Sequence, residues 1–150
     1  MNGTNTRELL TFHLGEAICG LDIAMVEELN RPLEMTPVPQ APPYVLGLVN
    51  LRGKIITVLD LGNKIGLESA SRTDASRIIF VHSANENLGL MVDQVTEVAE
   101  VNQNQVSLPP ANLKGVSSRF FEGVLKTDRG LIGILEISEV LKVEFREANV

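Results

Sequence analysis

The chain of 150 residues has no tryptophan, one tyrosine, five phenylalanines and one cysteine. With so few aromatics, leucine, isoleucine and valine must fill the core. The lone Cys19 excludes an internal disulfide and suits a reducing compartment. Long apolar runs are missing too: nothing approaches the roughly 20 residues that span a bilayer. The opening "MNGTNTRELLTF" lacks the basic flank and apolar centre of a secretory signal, so the expected location is cytoplasmic. Positive charge is short, with 13 Lys and Arg against 19 Asp and Glu and a net charge of -6. Nucleic acid, which needs a basic face, is therefore not an expected partner.

Catalytic constellations are equally scarce. His13 and His82 each stand in an apolar strand without the clustered Cys, His or carboxylates of a metal set. Cys19 has no base beside it in sequence and reads as an inert buried thiol. No glycine-rich stretch leads into Lys-Ser or Lys-Thr, so a phosphate loop is absent. Asp22, Asp60, Asp93, Glu97 and Glu136 are the candidates for acid–base work. Carboxylates that recur at strand ends read as structural, accepting backbone N–H bonds or pairing with arginine. No catalytic residue, metal or cofactor is expected.

What the chain does contain is a repeat of itself. "LLTFHL" (9–14) resembles "IIFVHS" (78–83), with His82 falling 69 residues after His13. The same offset lays "GLDIAMVEEL" (20–29) on "GLMVDQVTEV" (89–98), matching Gly20 with Gly89, Val26 with Val95 and Glu28 with Glu97. A third piece matches at an offset of 76, "YVLGLV" (44–49) with "FFEGVL" (120–125) and "IITVLDLGNKI" (55–65) with "LIGILEISEVL" (131–141). Short apolar strands punctuated by Gly and Pro predict an all-β fold of two small antiparallel barrels. The pseudo-repeats run over about 9–67 and 78–143, with a linker near 68–76. Helical turns are expected at Ile23–Leu29 and Gly62–Gly66, and a short helix from Ile137 toward Phe145. "RPLEMTPVPQAPPY" (31–44) should be an extended connection. Whether strands exchange between the barrels stays open.

One stretch, "GLVNLRGKIITVLDL" (47–61), places Arg52 at the tip of a hairpin, with Gly53 beside it to allow the turn. Three roles compete for this arginine. It can be a solvated tip, a partner contact, or an internal lock paired with Glu28 or Asp60. The matching position in the second repeat is Asp128, of opposite sign, so the two tips are not equivalent.

Together, "TFHLGEAICGLDIAMVEEL", "PPYVLGLVNLRGKIITVLDL", "RIIFV" and "GLMVDQVTEV" resemble the CheW family of chemotaxis coupling proteins, over roughly residues 7–145. The resemblance implies two SH3-like five-stranded β-barrels and a non-enzymatic adaptor. It implies as partners the regulatory domain of a CheA-type histidine kinase and the cytoplasmic tip of a methyl-accepting chemoreceptor. The membrane is then approached only through receptors. Two residues depart from the family pattern: Thr57 stands where Pro is usual, and Cys19 where an aromatic is common. By the same resemblance receptor contact maps near Val26, Glu28, Arg52, Ile78, Gly89 and Val98, while Gly47 and Gly53 matter through backbone shape. The competing reading makes Val26 and Val98 core positions and Gly89 a turn. Other functional readings are an adaptor of a pilus or developmental pathway, a small ligand-binding barrel, or an enzyme using the acidic set.

Overall fold

The computed structural model describes residues 5–67, 72–83, 85–113 and 115–143. The strands are β1 (Thr6–Leu14), β2 (Ala17–Asp22), β3 (Val26–Asn30), β4 (Val45–Leu51), β5 (Lys54–Asp60), β6 (Arg77–Ser83), β7 (Glu86–Val92) and β8 (Gln94–Asn102). They continue with β9 (Val106–Ser107), β10 (Asn112–Leu113), β11 (Val116–Ser117), β12 (Phe121–Thr127) and β13 (Gly130–Leu135). Among the described residues helix is confined to α1 (Leu61–Ile65), α2 (Ile137–Val140) and three single 3-10 turns. The expected turn at Ile23–Leu29 shrinks to Ile23–Met25, because Val26 onward pairs with β6 as a strand. The continuation of α2 toward Phe145 lies outside the described residues, as do positions 68–71 of the linker.

Two sheets carry the fold. One is five-stranded in the order β3-β6-β7-β5-β4, the other six-stranded in the order β8-β1-β2-β13-β12-β9. They form two SH3-like barrels, called here the first and the second. The sixth strand is a small departure from the five expected. Short β9 pairs with β12 at Ser107↔Val124, and its counterpart in the first barrel is the isolated Thr36↔Leu48 bridge.

Strands do exchange between the repeats. Hairpin β1–β2 joins the second barrel through the parallel β2–β13 pair, and hairpin β6–β7 joins the first through the parallel β5–β7 pair. The duplication persists in detail. Val58↔Gly89 and Ile134↔Gly20 are equivalent parallel partners. Register shifts fall between Val26 and Glu28, and between the partners of Val95 and Glu97, so the bulge is repeated at the 69-residue offset. The shifts at Val45/Gly47 and Phe121/Gly123 repeat at 76.

Period-two alternation then divides the apolar residues among three cores. Ile78 and Phe80 of β6 face the interior of the first barrel with Val49, Ile56, Val58 and Met91. Their neighbours Ile79 and Val81 face the other way, into a larger cluster. That cluster takes Leu10, Phe12 and Leu21 from one sheet and Leu59, Leu88 and Leu90 from the other, so it lies between the barrels. Leu9, Val101, Leu125, Ile132 and Ile134 fill the interior of the second. Both barrels lean on the middle.

Candidate functional site

Hairpin β4–β5 turns through only two residues, since Leu51 pairs with Lys54. Arg52 has φ 53° and Gly53 φ 87°, the φ pattern of a type I′ turn. The turn thus holds Arg52 itself in the left-handed region, where a side chain costs about 1 kcal/mol. Gly53 meets the same demand without a Cβ, and its N–H donates to Asn50 Oδ1 at 2.9 Å. Sequence reasoning credited the glycine alone. The signal for Arg52 was the two-residue spacing with glycine in second place, which fits a type I′ turn with positive φ at both positions.

β3 and β4 are the outer strands of the five-stranded sheet, and the barrel brings them together. Glu28 pairs with Phe80 in register, so its side chain lies on the interior side. There Glu28 Oε1 meets Arg52 Nη1 at 3.1 Å, and its Oε2 accepts from Asn30 Nδ2 at 2.8 Å. Of the two expected internal partners, Glu28 takes the arginine, while Asp60 is buried and caps α1 by accepting from Asn63 N. The Arg52 side chain remains 80% exposed against 20% for Glu28. It is pinned at one nitrogen and otherwise open.

The remaining sequence-derived positions scatter. Val26 is half-buried on β3 and packs against the inter-barrel cluster. Ile78 is fully buried inside the first barrel. Gly89 sits beside it, where a Cβ would lie 2.9 Å from Ile78 Cγ2 and 3.1 Å from the Phe80 ring. Gly47 lets β4 approach residue 36, whose carbonyl oxygen would be 2.7 Å from a Cβ. Val98 is exposed, on β8 of the other sheet. The structure therefore brings together Glu28, Arg52 and Gly53, turns Val26 to the inter-barrel cluster, buries Ile78 and Gly89, and sets Val98 on the second barrel.

The recurrent acids do structural work. Asp93 accepts from Gly15 N at 2.6 Å, and Asp22 accepts from Ala24 N at 3.0 Å. Asp22 also meets Arg7 Nη2 at 3.2 Å, while Arg7 Nη1 binds Glu122 and Gln103. This Arg7 network was missed in the sequence, because Arg7 has no partner at helical or hairpin spacing. Cys19 is buried, and burial pushes its thiol up to about 12, so it stays protonated through neutral pH. Among the described residues no group of three His, Cys, Asp or Glu could hold a metal, and no helix is long and apolar enough to cross a membrane.

Comparison with known proteins places this geometry. The family model described as a CheW-like domain matches residues 8–145. The chemotaxis protein CheW of Rhizobium meliloti is 32% identical over 142 residues, covering 95% of this chain and 92% of the relative. That of Treponema pallidum is 29% identical, over 89% and 81%. The crystal structure of the scaffolding protein TtCheW from Thermoanaerobacter tengcongensis is similar with a TM-score of 0.85 and 34% identity, covering 95% of this chain and 92% of that one. The chain belongs to the CheW-like domain family and is a non-catalytic adaptor for chemotaxis coupling.

Proposed function

We propose that this adaptor joins the cytoplasmic tip of a methyl-accepting chemoreceptor to the regulatory domain of a CheA-type histidine kinase. It would work in the cytoplasm and meet the membrane only through the receptor. The observation that carries the reading is Arg52. A side chain kept at positive φ, anchored on Glu28 and 80% exposed is placed to donate outward from a fixed turn. Guanidinium keeps its charge and has donors left after Glu28 is served, so it suits a carboxylate or carbonyl on a partner.

Coupling requires two surfaces. Glu28 and Arg52 form one candidate on the first barrel, half-buried Val26 acts beside it from the inter-barrel side of β3, and exposed Val98 marks another on the second. Ile78 and Gly89 act on such a surface through the shape of the barrel wall, since both are buried. Gly47 and Gly53 act through the path of the hairpin. The test is capture of a purified receptor tip and kinase regulatory domain by wild type, Arg52→Ala and Arg52→Lys, with melting temperature measured in parallel. Arg52→Ala should lose most of the assembly while staying folded, and Lys should restore part of it, lacking the planar fork. Unchanged capture by Arg52→Ala returns the residue to a solvated tip. Failure of wild type to capture either partner overturns the coupling itself.

A further inference from the structure

The connection 31–44 is extended only in part. Thr36 exchanges both backbone hydrogen bonds with Leu48, its N–H donating at 2.9 Å and its carbonyl accepting at 2.8 Å. The chain must therefore reverse before it enters β4, and it does so at Val38–Ala41. Ala41 N donates to Val38 O at 3.4 Å, with Pro39 second in the turn and Gln40 third at φ 62°. That is a type II turn, whose third position asks for glycine. Among the described residues only Gln40 and Arg52 carry a side chain at positive φ. The conformation is disfavoured by about fivefold or more. Pro37, Pro39, Pro42 and Pro43 fix their own φ and hold Thr36, Val38 and Ala41 extended. The whole reversal hangs on Gln40.

We propose that Val38–Ala41 is a hinge through which two copies of this chain exchange residues 6–36. Opening it needs only Gln40 to relax to negative φ, which turns the reversal into the extended run that its prolines favour. Everything the segment touches in its own chain is then available on a second copy. β1 pairs with β8, β2 with β13 and β3 with β6, and Thr36 with Leu48. Leu9, Leu10, Phe12, Leu14, Cys19 and Leu21 of the segment are all buried, so it must dock on one body or the other. No contact outside the turn is lost and two strained turns are relieved, which leaves the entropy of association as the main cost. The fold already performs this exchange within one molecule, since β1–β2 completes the barrel of the other repeat. The Arg52–Glu28 pair crosses the divide, because Glu28 lies in the exchanged segment and Arg52 does not. In the dimer Arg52 of one copy meets the partner's Glu28, so each such site is built from both chains and one body carries two.

The test is to refold the full chain from urea at rising protein concentration and to follow its mass by size exclusion with light scattering. A dimer should appear, grow with concentration, and separate slowly on dilution, because release requires the segment to leave its buried sites. In a dimer formed from equal parts of isotope-labelled and unlabelled chain, filtered NOEs should join β1 of one copy to β8 of the other, as at Leu10 and Val98. Gln40→Gly should lower the dimerisation constant by about tenfold or more, since two relaxed turns then resist opening. Gln40→Val, whose branched side chain tolerates positive φ least, should raise it. The glycine variant serves alone if the valine variant fails to fold. Monomer at every concentration, or a dimer without β1–β8 contacts between copies, overturns the proposal. A dimer fraction that Gln40→Gly leaves unchanged overturns it as well, removing the hinge. No receptor or kinase enters the measurement, so its outcome is independent of the coupling reading.

Discussion

The two barrels share strand order, bulges and register, yet they close their ends by different chemistry. In the first, Phe80, Met91 and Leu51 fill the interior, and Arg52 bridges to Glu28 across the mouth. In the second, Thr11 and Asp22 occupy the positions of Phe80 and Met91, and the mouth is open. Its opposite end is tied by Arg7 to Asp22 and Glu122. One backbone pattern therefore tolerates an apolar plug in one copy and a polar network in the other. The pairing scheme comes from β-propensity and bulges, while individual side chains decide which end stays open.

The harshest way to break the comparison is to separate the repeats. Residues 1–72 and 73–150 expressed apart should each be unfolded, because each half supplies a hairpin that completes the barrel of the other. Circular dichroism and NMR dispersion check this, and mixing the halves should recover native signals. A half that folds alone as a monomer would mean the shared cluster is dispensable. Next in size, Phe80→Ala should cost about 3–5 kcal/mol in chemical denaturation, since Phe80 is 1% exposed in a closed interior. Gly89→Ala should cost about 1–3 kcal/mol through crowding by Ile78, Phe80 and Val58. The equivalent Gly20→Ala should cost less, meeting Leu9 at 3.1 Å and Ile132 at 3.4 Å. Equal losses would show the two walls to be equally tight.

Smaller effects sharpen the contrast between the ends. Arg7→Ala should lose about 1–2 kcal/mol, because three partly buried charges share the network. Arg52→Ala, removing one pair whose arginine is mostly exposed, should lose at most about 1 kcal/mol, and added salt should shrink that loss. Smallest and most diagnostic is Arg52→Gly. It removes the same charge but relieves the positive φ, so it should melt above Arg52→Ala by about 1 kcal/mol of stability. Identical melting of the two variants would mean the turn holds no strain.

The duplication was legible because Gly20 and Gly89 answer the same local demand in each copy, and Glu28 and Glu97 hold the same register beside the repeated bulge. The exchange of hairpins was not. β1–β2 and β6–β7 carry nearly the same apolar alternation, so pairing with either barrel satisfies the pattern, and only the three-dimensional path decides. The Arg52–Glu28 pair stood among the alternatives because a lone cation beside apolar strands needs a carboxylate within reach. The open mouth was hidden, since it appears only when two different offsets are combined: 69 for Thr11 and Glu97, 76 for Thr127 and Asp128. Ile78 and Gly89 show the limit of carrying positions over by resemblance, which finds places that shape a surface as readily as places that touch it.

Hairpin exchange also has a mechanical consequence. The backbone passes from the second barrel to the first through the single turn Ile23–Met25, and returns through Asp93 alone between β7 and β8. One extended residue spans at most about 3.6 Å, so neither crossing has slack to pay out. A twist applied to one barrel must load the other through these two tethers as well as through the packed middle. Such a body behaves as a stiff strut, passing displacement along its length where a pair of beads on a linker would absorb it.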